Sequence, residues 1–167
     1  MNSEQPDDTQ VRWRVTTRAD DVTQVEIIGE LNEQTDLMPL VSELSGAVTL
    51  HLGQVKRINS CGVREWIQFV RKLSESAQVS FSHCSIVCVN QLNMIRNFRG
   101  DADILSFYAP YVCEDCDLDL QKLIDVKRDL AAGTERLPEF RCDECGEPLE
   151  FDDFPSRYLS FLACPSR

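Results

Sequence analysis

The chain has 167 residues, of which 43% are hydrophobic, and it carries a formal net charge of −11. This length supports one medium domain, or a domain of about 100 residues with a small second module. No run approaches the roughly 20 apolar residues that a membrane-spanning helix needs, and residues 1–10 are polar and acidic, unlike an export signal. We therefore expect a cytoplasmic protein without membrane insertion, in which residues 1–10 form a disordered leader.

The negative charge is concentrated in the C-terminal part of the chain. Residues 101–167 contain 16 acidic and 7 basic side chains, whereas residues 1–100 contain 12 acidic and 10 basic ones. An acidic surface of this kind repels the phosphate backbone of nucleic acids. We therefore do not expect nucleic acid as a partner of this part of the chain. The acidic residues are expected to serve solubility, with binding of a basic protein partner as the alternative.

Apolar alternation and helical periodicity predict the element order ββαβαβαβ over residues 11–108. Val11, Trp13 and Val15 alternate with polar residues, which is typical of a half-buried strand. The predicted strands are 11–15, 25–27, 48–52, 79–81 and 104–108, and the predicted helices are 37–44, 63–73 and one capped by Ser85. Alternating strands and helices favour an α/β sheet.

Four of the eight cysteines form two C-x-x-C pairs, Cys113 with Cys116 and Cys142 with Cys145. Each pair makes a tight turn that presents two sulfurs to one ion, and two pairs complete the tetrahedral sulfur set that a structural zinc prefers. Four thiolates leave no open position for a catalytic water, so we expect one structural Zn²⁺ per chain. A redox-active dithiol and an iron–sulfur centre are the alternatives.

The residues around these cysteines resemble a zinc ribbon. The 25 residues between the two pairs are expected to contain a short hairpin or helix with Leu123, Ile124 and Val126 as its apolar part. Farther on, Asp153 and Pro155 predict the start of a short amphipathic helix over residues 156–163. We expect this helix to pack on the ribbon or on the sheet, with docking to a partner as the alternative.

The N-terminal part of the chain resembles the STAS domain, which is named for sulphate transporters and anti-sigma factor antagonists. The resemblance covers roughly residues 10–108 and rests on the loop Gly29-Glu30-Leu31-Asn32, on the strand, turn and helix of residues 48–73, and on residues 84–97. It implies an α/β fold with a mixed sheet and helices. The expected organisation is a leader at 1–10, a STAS-like domain at 11–108 and a zinc-ribbon-like module at 109–167.

In the antagonists, the turn before the helix carries Asp-Ser-Ser-Gly-Leu, and the partner anti-sigma kinase phosphorylates the second serine. Here the turn reads Asn59-Ser60-Cys61-Gly62-Val63, so Cys61 stands at the phosphorylated position. A thiol does not accept the phosphate as serine does, and the resemblance therefore implies that the usual switch is absent.

Three interpretations of Cys61 are open. It is a small, half-buried residue in a constitutive binding module, or an oxidation sensor whose thiol is activated by the helix N-terminus and by Arg57 and Arg64 nearby in sequence. In the third interpretation the switch is displaced and Ser60 is the phosphoacceptor.

We expect a regulatory module that binds a protein partner through this turn and the helix behind it. The predicted partner contacts are Arg57, Asn59, Gly62, Arg64 and Trp66, and we expect Arg57, Arg64 and Trp66 to be partly exposed. The resemblance implies an anti-sigma-factor-like kinase or another regulatory protein as the partner. The alternatives are a sensor of an anion, nucleotide or lipid, and an accessory subunit of a lipid-transport complex.

We expect no enzyme activity. The sequence has two histidines, no glycine-rich phosphate loop and no serine with an evident base. His51, on a predicted strand, is expected to be a surface or hydrogen-bonded residue, and Cys84 and Cys88 are expected to be core thiols.

Overall fold

A computed structural model of the chain describes residues 10–17, 20–130 and 136–163. The predicted leader lies outside these ranges except for Gln10. None of the helices in the described ranges is long and apolar enough to cross a membrane.

The first sheet has strand order β1-β2-β3-β4-β5 within the described residues. Its first two strands pair antiparallel, as the predicted hairpin requires, and all later pairs are parallel. The strands are β1 Arg12–Thr17, β2 Val22–Leu31, β3 Gly46–Ile58, β4 Ala77–Ser82 and β5 Asp103–Ile104. The predicted mixed α/β sheet is confirmed.

Three helices connect these strands, and their bounds are α1 Met38–Glu43, α2 Ser60–Leu73 and α3 Ile86–Met94. The predicted apolar stripe of α2 packs into the core, where Trp66, Phe69, Val70 and Leu73 are buried. The α2 helix begins three residues earlier than predicted, at Ser60, because the side chain of Asn59 caps it by accepting a hydrogen bond from the Gly62 N–H.

One face of the first sheet is apolar and the other is polar. Leu50 pairs in register with Val25 and Phe81, and all three are fully buried. On the opposite face, His51 pairs with Glu26 and Ser82. This alternation is the sequence pattern that predicts strands, because successive side chains of a strand point to opposite faces.

A second, antiparallel sheet of the described residues has strand order β7-β6-β8. Its strands are β6 Ser106–Cys113, β7 Leu118–Asp125 and β8 Glu150–Phe151, and a single helical turn, α4 Val126–Asp129, follows β7. The predicted hairpin or helix between the cysteine pairs takes another form: β7 carries Leu123 and Ile124 and pairs with β6 across the first cysteine turn, and α4 begins at Val126. The last predicted strand, 104–108, is wrong in its bounds, since Ile104 ends β5 of the first sheet and Ser106 begins β6 of the second, which continues to Cys113.

The two sheets are joined through the backbone at Cys84. The Cys84 N–H donates to the Ser106 carbonyl at 3.0 Å, and the Tyr108 N–H donates to the Cys84 carbonyl at 2.9 Å. The predicted domain boundary between residues 108 and 109 therefore lies within a continuous strand, and it stays a prediction.

The C-terminal segment forms a short helix, α5 Pro155–Tyr158, and a 3₁₀ turn, Ser160–Ala163. Tyr158 is buried, and its hydroxyl donates to the Tyr108 carbonyl at 2.6 Å. Asn93 of α3 donates through its amide to the Tyr158 carbonyl at 2.9 Å. The prediction that this segment packs on the sheet is confirmed.

Candidate metal centre and interaction surface

Four cysteine sulfurs converge at the end of the second sheet and could hold a metal ion. Cys113, Cys116, Cys142 and Cys145 place their sulfurs within 4.8 Å of one another. The sulfurs of Cys113 and Cys145 are 3.5 Å apart, and the described cysteines are free thiols. The structure therefore brings together all four predicted ligands.

Each cysteine pair sits in a tight turn. The first pair spans the turn from β6 to β7, where Asp117 has a φ of 52°. In the second pair, the Gly146 N–H donates to the Cys142 carbonyl at 2.9 Å, and Gly146 has a φ of 78°. Glycine adopts this left-handed conformation without the penalty that a side chain carries, as expected for the residue after a C-x-x-C turn.

Aromatic contacts hold the second pair against the first across the long intervening segment. The Tyr111 ring of β6 packs edge-on against Phe140 with centroids 5.1 Å apart, and its hydroxyl donates to the Pro138 carbonyl at 2.8 Å. Sequence reasoning missed Tyr111 and Phe140 as supports of the cluster. Their position two residues before a cysteine of each pair is the signal that could have identified them.

The protein environment favours thiolate at one cysteine in particular. Hydrogen bonds from the backbone N–H groups of Cys145 and Glu144 lower the pKa of the Cys142 thiol to about 7. Burial raises the pKa of Cys113. A cation bound between the sulfurs favours thiolate at all four positions, so binding of a metal releases protons.

Acidic side chains surround the cluster. Glu114 and Asp115 lie between the first two cysteines, Asp143 and Glu144 lie between the second two, and all four are exposed. Lys122 compensates part of this charge, since its ammonium lies 3.2 Å from an Asp143 carboxylate oxygen.

The second candidate site is the N-terminus of α2. Asn59 has two partners there: its Oδ1 accepts the Gly62 N–H at 2.9 Å, and its Nδ2 donates to Glu33 Oε2 at 2.9 Å. The pKa of Glu33 is lowered by a hydrogen bond from the backbone of Glu33 itself and by the one from the Asn59 side chain. An ionised carboxylate is therefore fixed beside the positive end of the α2 dipole.

Gly62 brings this helix into direct contact with the end of β2. A Cβ at position 62 would lie 2.0 Å from the Leu31 carbonyl oxygen, a distance that no side chain tolerates. The Asn59 N–H donates to the same carbonyl at 3.0 Å. The glycine of the predicted turn thus has a packing role rather than a partner-binding one.

Two of the five predicted partner contacts are buried. Trp66 is fully buried, and its indole N–H donates to the Phe98 carbonyl at 2.9 Å, so the expectation that it is partly exposed is wrong. Gly62 is also buried. Trp66 belongs to the apolar stripe that attaches α2 to the sheet, and this role excludes contact with a partner.

The other predicted contacts lie at the surface. Asn59 and Ser60 are exposed, and the side chains of Arg57 and Arg64 are 80% and 70% exposed. Arg57 lies 3.9 Å from Glu30 and Arg64 lies 3.4 Å from Glu65. Cys61 is half-buried. Redox activity of Cys61 and phosphorylation of Ser60 stay predictions.

Cys84 and Cys88 are buried, as predicted for core thiols. Burial raises the pKa of both, that of Cys88 to about 12, so both are protonated at neutral pH.

His51, which the sequence predicts to be a surface or hydrogen-bonded residue, is half-buried in the structure. Its ring stacks on His83 with centroids 4.1 Å apart, and the Nδ1 atoms of both rings are buried without a hydrogen-bond partner among the described residues. Gly53 makes room for the pair, since a Cβ there would lie 3.1 Å from His51 Cε1. The contact depends on the register of β3 with β4, in which His51 pairs with Ser82, the residue before His83.

No protein-family model matches the chain, and no curated protein sequence matches it. The structure by itself supports a small α/β fold with a mixed sheet, several helices and a four-cysteine cluster that could bind a metal ion.

Proposed function

We propose that the chain is a non-catalytic, STAS-like regulatory module that binds a protein partner, carries one structural zinc in a ribbon-like C-terminal part and lacks the usual phosphoserine switch. The observation that supports this proposal most directly is the arrangement of side chains at the start of α2. Asn59 joins the helix N-terminus to the carboxylate of Glu33, while Arg57, Ser60 and Arg64 remain accessible around it.

This arrangement favours a constitutive binding surface. The carboxylate of Glu33 already supplies a negative charge beside the helix N-terminus, where a phosphoserine would supply it in the related antagonists. A second anion at the same place would be repelled by Glu33. We therefore favour binding of a protein partner over sensing of an anion, a nucleotide or a lipid headgroup as the function of this surface.

The proposal of zinc rests on the donor set and its dimensions. Zinc binds thiolate sulfur at about 2.3 Å, so the sulfurs of a tetrahedral site lie about 3.8 Å apart. The four sulfurs fit this size, since all lie within 4.8 Å of one another. Four thiolates fill the coordination sphere, which supports a structural role. We keep the cytoplasm as the proposed location because thiols persist in a reducing compartment.

Affinity capture with the intact protein tests the partner. We expect a regulatory protein, such as an anti-sigma-factor-like kinase, to be recovered from cells that express the chain. Arg64→Glu should reduce its recovery at least tenfold, since reversing a surface charge opposes an electrostatically complementary partner. Arg128→Glu is the matched control, because Arg128 lies in α4 with a side chain of similar exposure, 71%. Recovery of every partner with Arg64→Glu at the wild-type level would contradict the proposal.

A further inference from the structure

Each sheet of the described residues ends in an edge strand with a distinctive pattern. β1 is at one edge of the first sheet and pairs only with β2, and β7 is at one edge of the second sheet and pairs only with β6. An edge strand presents unpaired backbone N–H and C=O groups that can pair with a strand of another chain.

The exposed side chains of β1 include apolar ones on one face of the strand and basic ones on the other. Trp13 and Val15 are 37% and 42% exposed, although they are in register with the buried Ile27 and Val25. Arg12 and Arg14 alternate with them on the other face. Arg14 lies 3.4 Å from Glu26 but keeps 71% of its side chain exposed.

The start of β7 has the same alternation with the opposite charge. Leu118 is 37% exposed and Leu120 is half-buried, and both lie on the face that carries Tyr111 and Cys113 of β6. Asp119 is exposed on the other face, and Asp117 precedes the strand. In β7 the apolar side chains therefore lie on one face and the Asp119 carboxylate lies on the other. In β1 the arginines lie on the face opposite the apolar side chains in the same way.

Three pairings between two copies can be compared by their charges. Pairing β1 with β1 sets arginine against arginine, and pairing β7 with β7 sets aspartate against aspartate; like charges directly opposite each other destabilise a sheet. Pairing β1 with β7 sets Arg14 against Asp119 and sets Trp13 and Val15 against Leu118 and Leu120. Opposite charges and apolar cross-strand pairs both stabilise a sheet.

We propose that β1 of one copy of this chain pairs with β7 of a second copy. The contact is head-to-tail, so every bound copy leaves a free β1 and a free β7, and association continues past the dimer unless a ring closes. A contact made by one short strand is smaller than a standard interface of about 1,600 Å², so association is weak and needs high protein concentration. Salt weakens it by screening the exposed arginine and aspartate charges.

Sedimentation velocity over a range of concentrations tests this pairing. We expect the average mass of the wild-type protein to rise with concentration beyond that of a dimer, and to fall when salt is added. Arg14→Glu and Asp119→Lys should each stay monomeric, because each loses one of the two complementary edges. An equimolar mixture should associate again, because the intact β1 of one variant meets the intact β7 of the other.

The controls separate this proposal from its alternatives. Arg64→Glu, on the partner-binding surface, should associate like the wild type, so the two proposals fail independently. A wild-type protein that is monomeric at every concentration would overturn the pairing. Association of Asp119→Lys at the wild-type level, with loss only in Arg14→Glu, would assign the contact to two β1 strands and overturn it as well.

Tryptophan fluorescence gives a second readout of the same contact. The chain has two tryptophans, and Trp66 is fully buried whereas Trp13 is 37% exposed. Acrylamide should therefore quench mainly Trp13, and this quenching should decrease at concentrations where the wild type associates. Unchanged quenching in the associated state would show that β1 is not the contact.

Discussion

At the residue scale, the stacked histidines lie where the two sheets meet. His83 follows β4 with a φ of 51°, and its backbone N–H donates to the Ser106 hydroxyl at 2.8 Å. Burial, and then the neighbouring His51, lower the pKa of His83. The groups around the pair are Glu26 of β2 and the ring of Tyr108, whose centroid is 6.1 Å from that of His83.

The lowered pKa predicts that acid destabilises the fold through this pair. The unfolded chain binds a proton at His83 near the ordinary pKa of about 6.5, whereas the folded chain binds it only at lower pH. The free energy of unfolding therefore falls as the pH drops below about 6.5 toward the folded-state pKa. Urea unfolding at about pH 7.5 and about pH 5.5 measures the change.

His83→Asn is the matched variant for this measurement, because asparagine tolerates a left-handed φ and does not titrate. The urea midpoint of the wild type should fall more between the two pH values than that of His83→Asn. Equal decreases in both proteins would show that the stacked pair does not couple folding to pH.

At the scale of elements, the features that depend on residues close together in the sequence could be predicted from it. The helix α2 was predictable because its apolar residues recur at helical spacing, and the four cysteines were predictable because a C-x-x-C turn brings two sulfurs together through neighbouring residues. The burial of Trp66 follows from the same stripe. Its predicted exposure was wrong because one face of a helix cannot both pack on a sheet and contact a partner.

Other features depend on contacts distant in sequence and were not predictable. The length of β6 depends on its pairing with β7, which runs from Ser106 opposite Asp125 to Cys113 opposite Leu118 and which no periodicity in residues 104–113 reveals. The pairing of His51 with His83 depends on the register between β3 and β4. β3 also continues to Ile58, six residues past the predicted strand 48–52, and of residues 53–58 only Val55 is buried.

The C-terminal helical segment gives a test at this scale. Tyr158→Phe removes the hydroxyl that donates to the Tyr108 carbonyl and keeps the ring packed near Phe151, at a centroid distance of 5.4 Å. We expect a loss of about 1 kcal/mol in the free energy of unfolding, the usual effect of one buried hydrogen bond. Urea denaturation measures it.

Ser160→Ala is the control for this substitution. It removes an exposed hydrogen bond from the same segment, in which the Ser160 hydroxyl donates to the Asn93 Oδ1 at 2.8 Å. Its effect should stay within about 0.5 kcal/mol. If both variants lose the same stability, the hydroxyl of Tyr158 does not anchor the segment.

At the scale of the whole molecule, the two sheets share one core. Buried residues of the first sheet, of β6 and of the C-terminal segment form a single cluster that also includes Cys113 and Cys142. Two of the four proposed metal ligands are therefore part of the packed interior. We infer that the proposed metal stabilises the packing of β6 and the C-terminal segment against the first sheet, as well as the two cysteine turns.

The central claim is that the four cysteines hold one zinc ion, and native mass spectrometry of the intact protein tests it most directly. The expected mass is that of the chain plus one zinc, minus the protons that the bound thiols release. Removal of the ion by a chelator should increase proteolysis within residues 113–150. A metal-free chain, or a chain whose mass shows disulfides between these cysteines, would contradict the account.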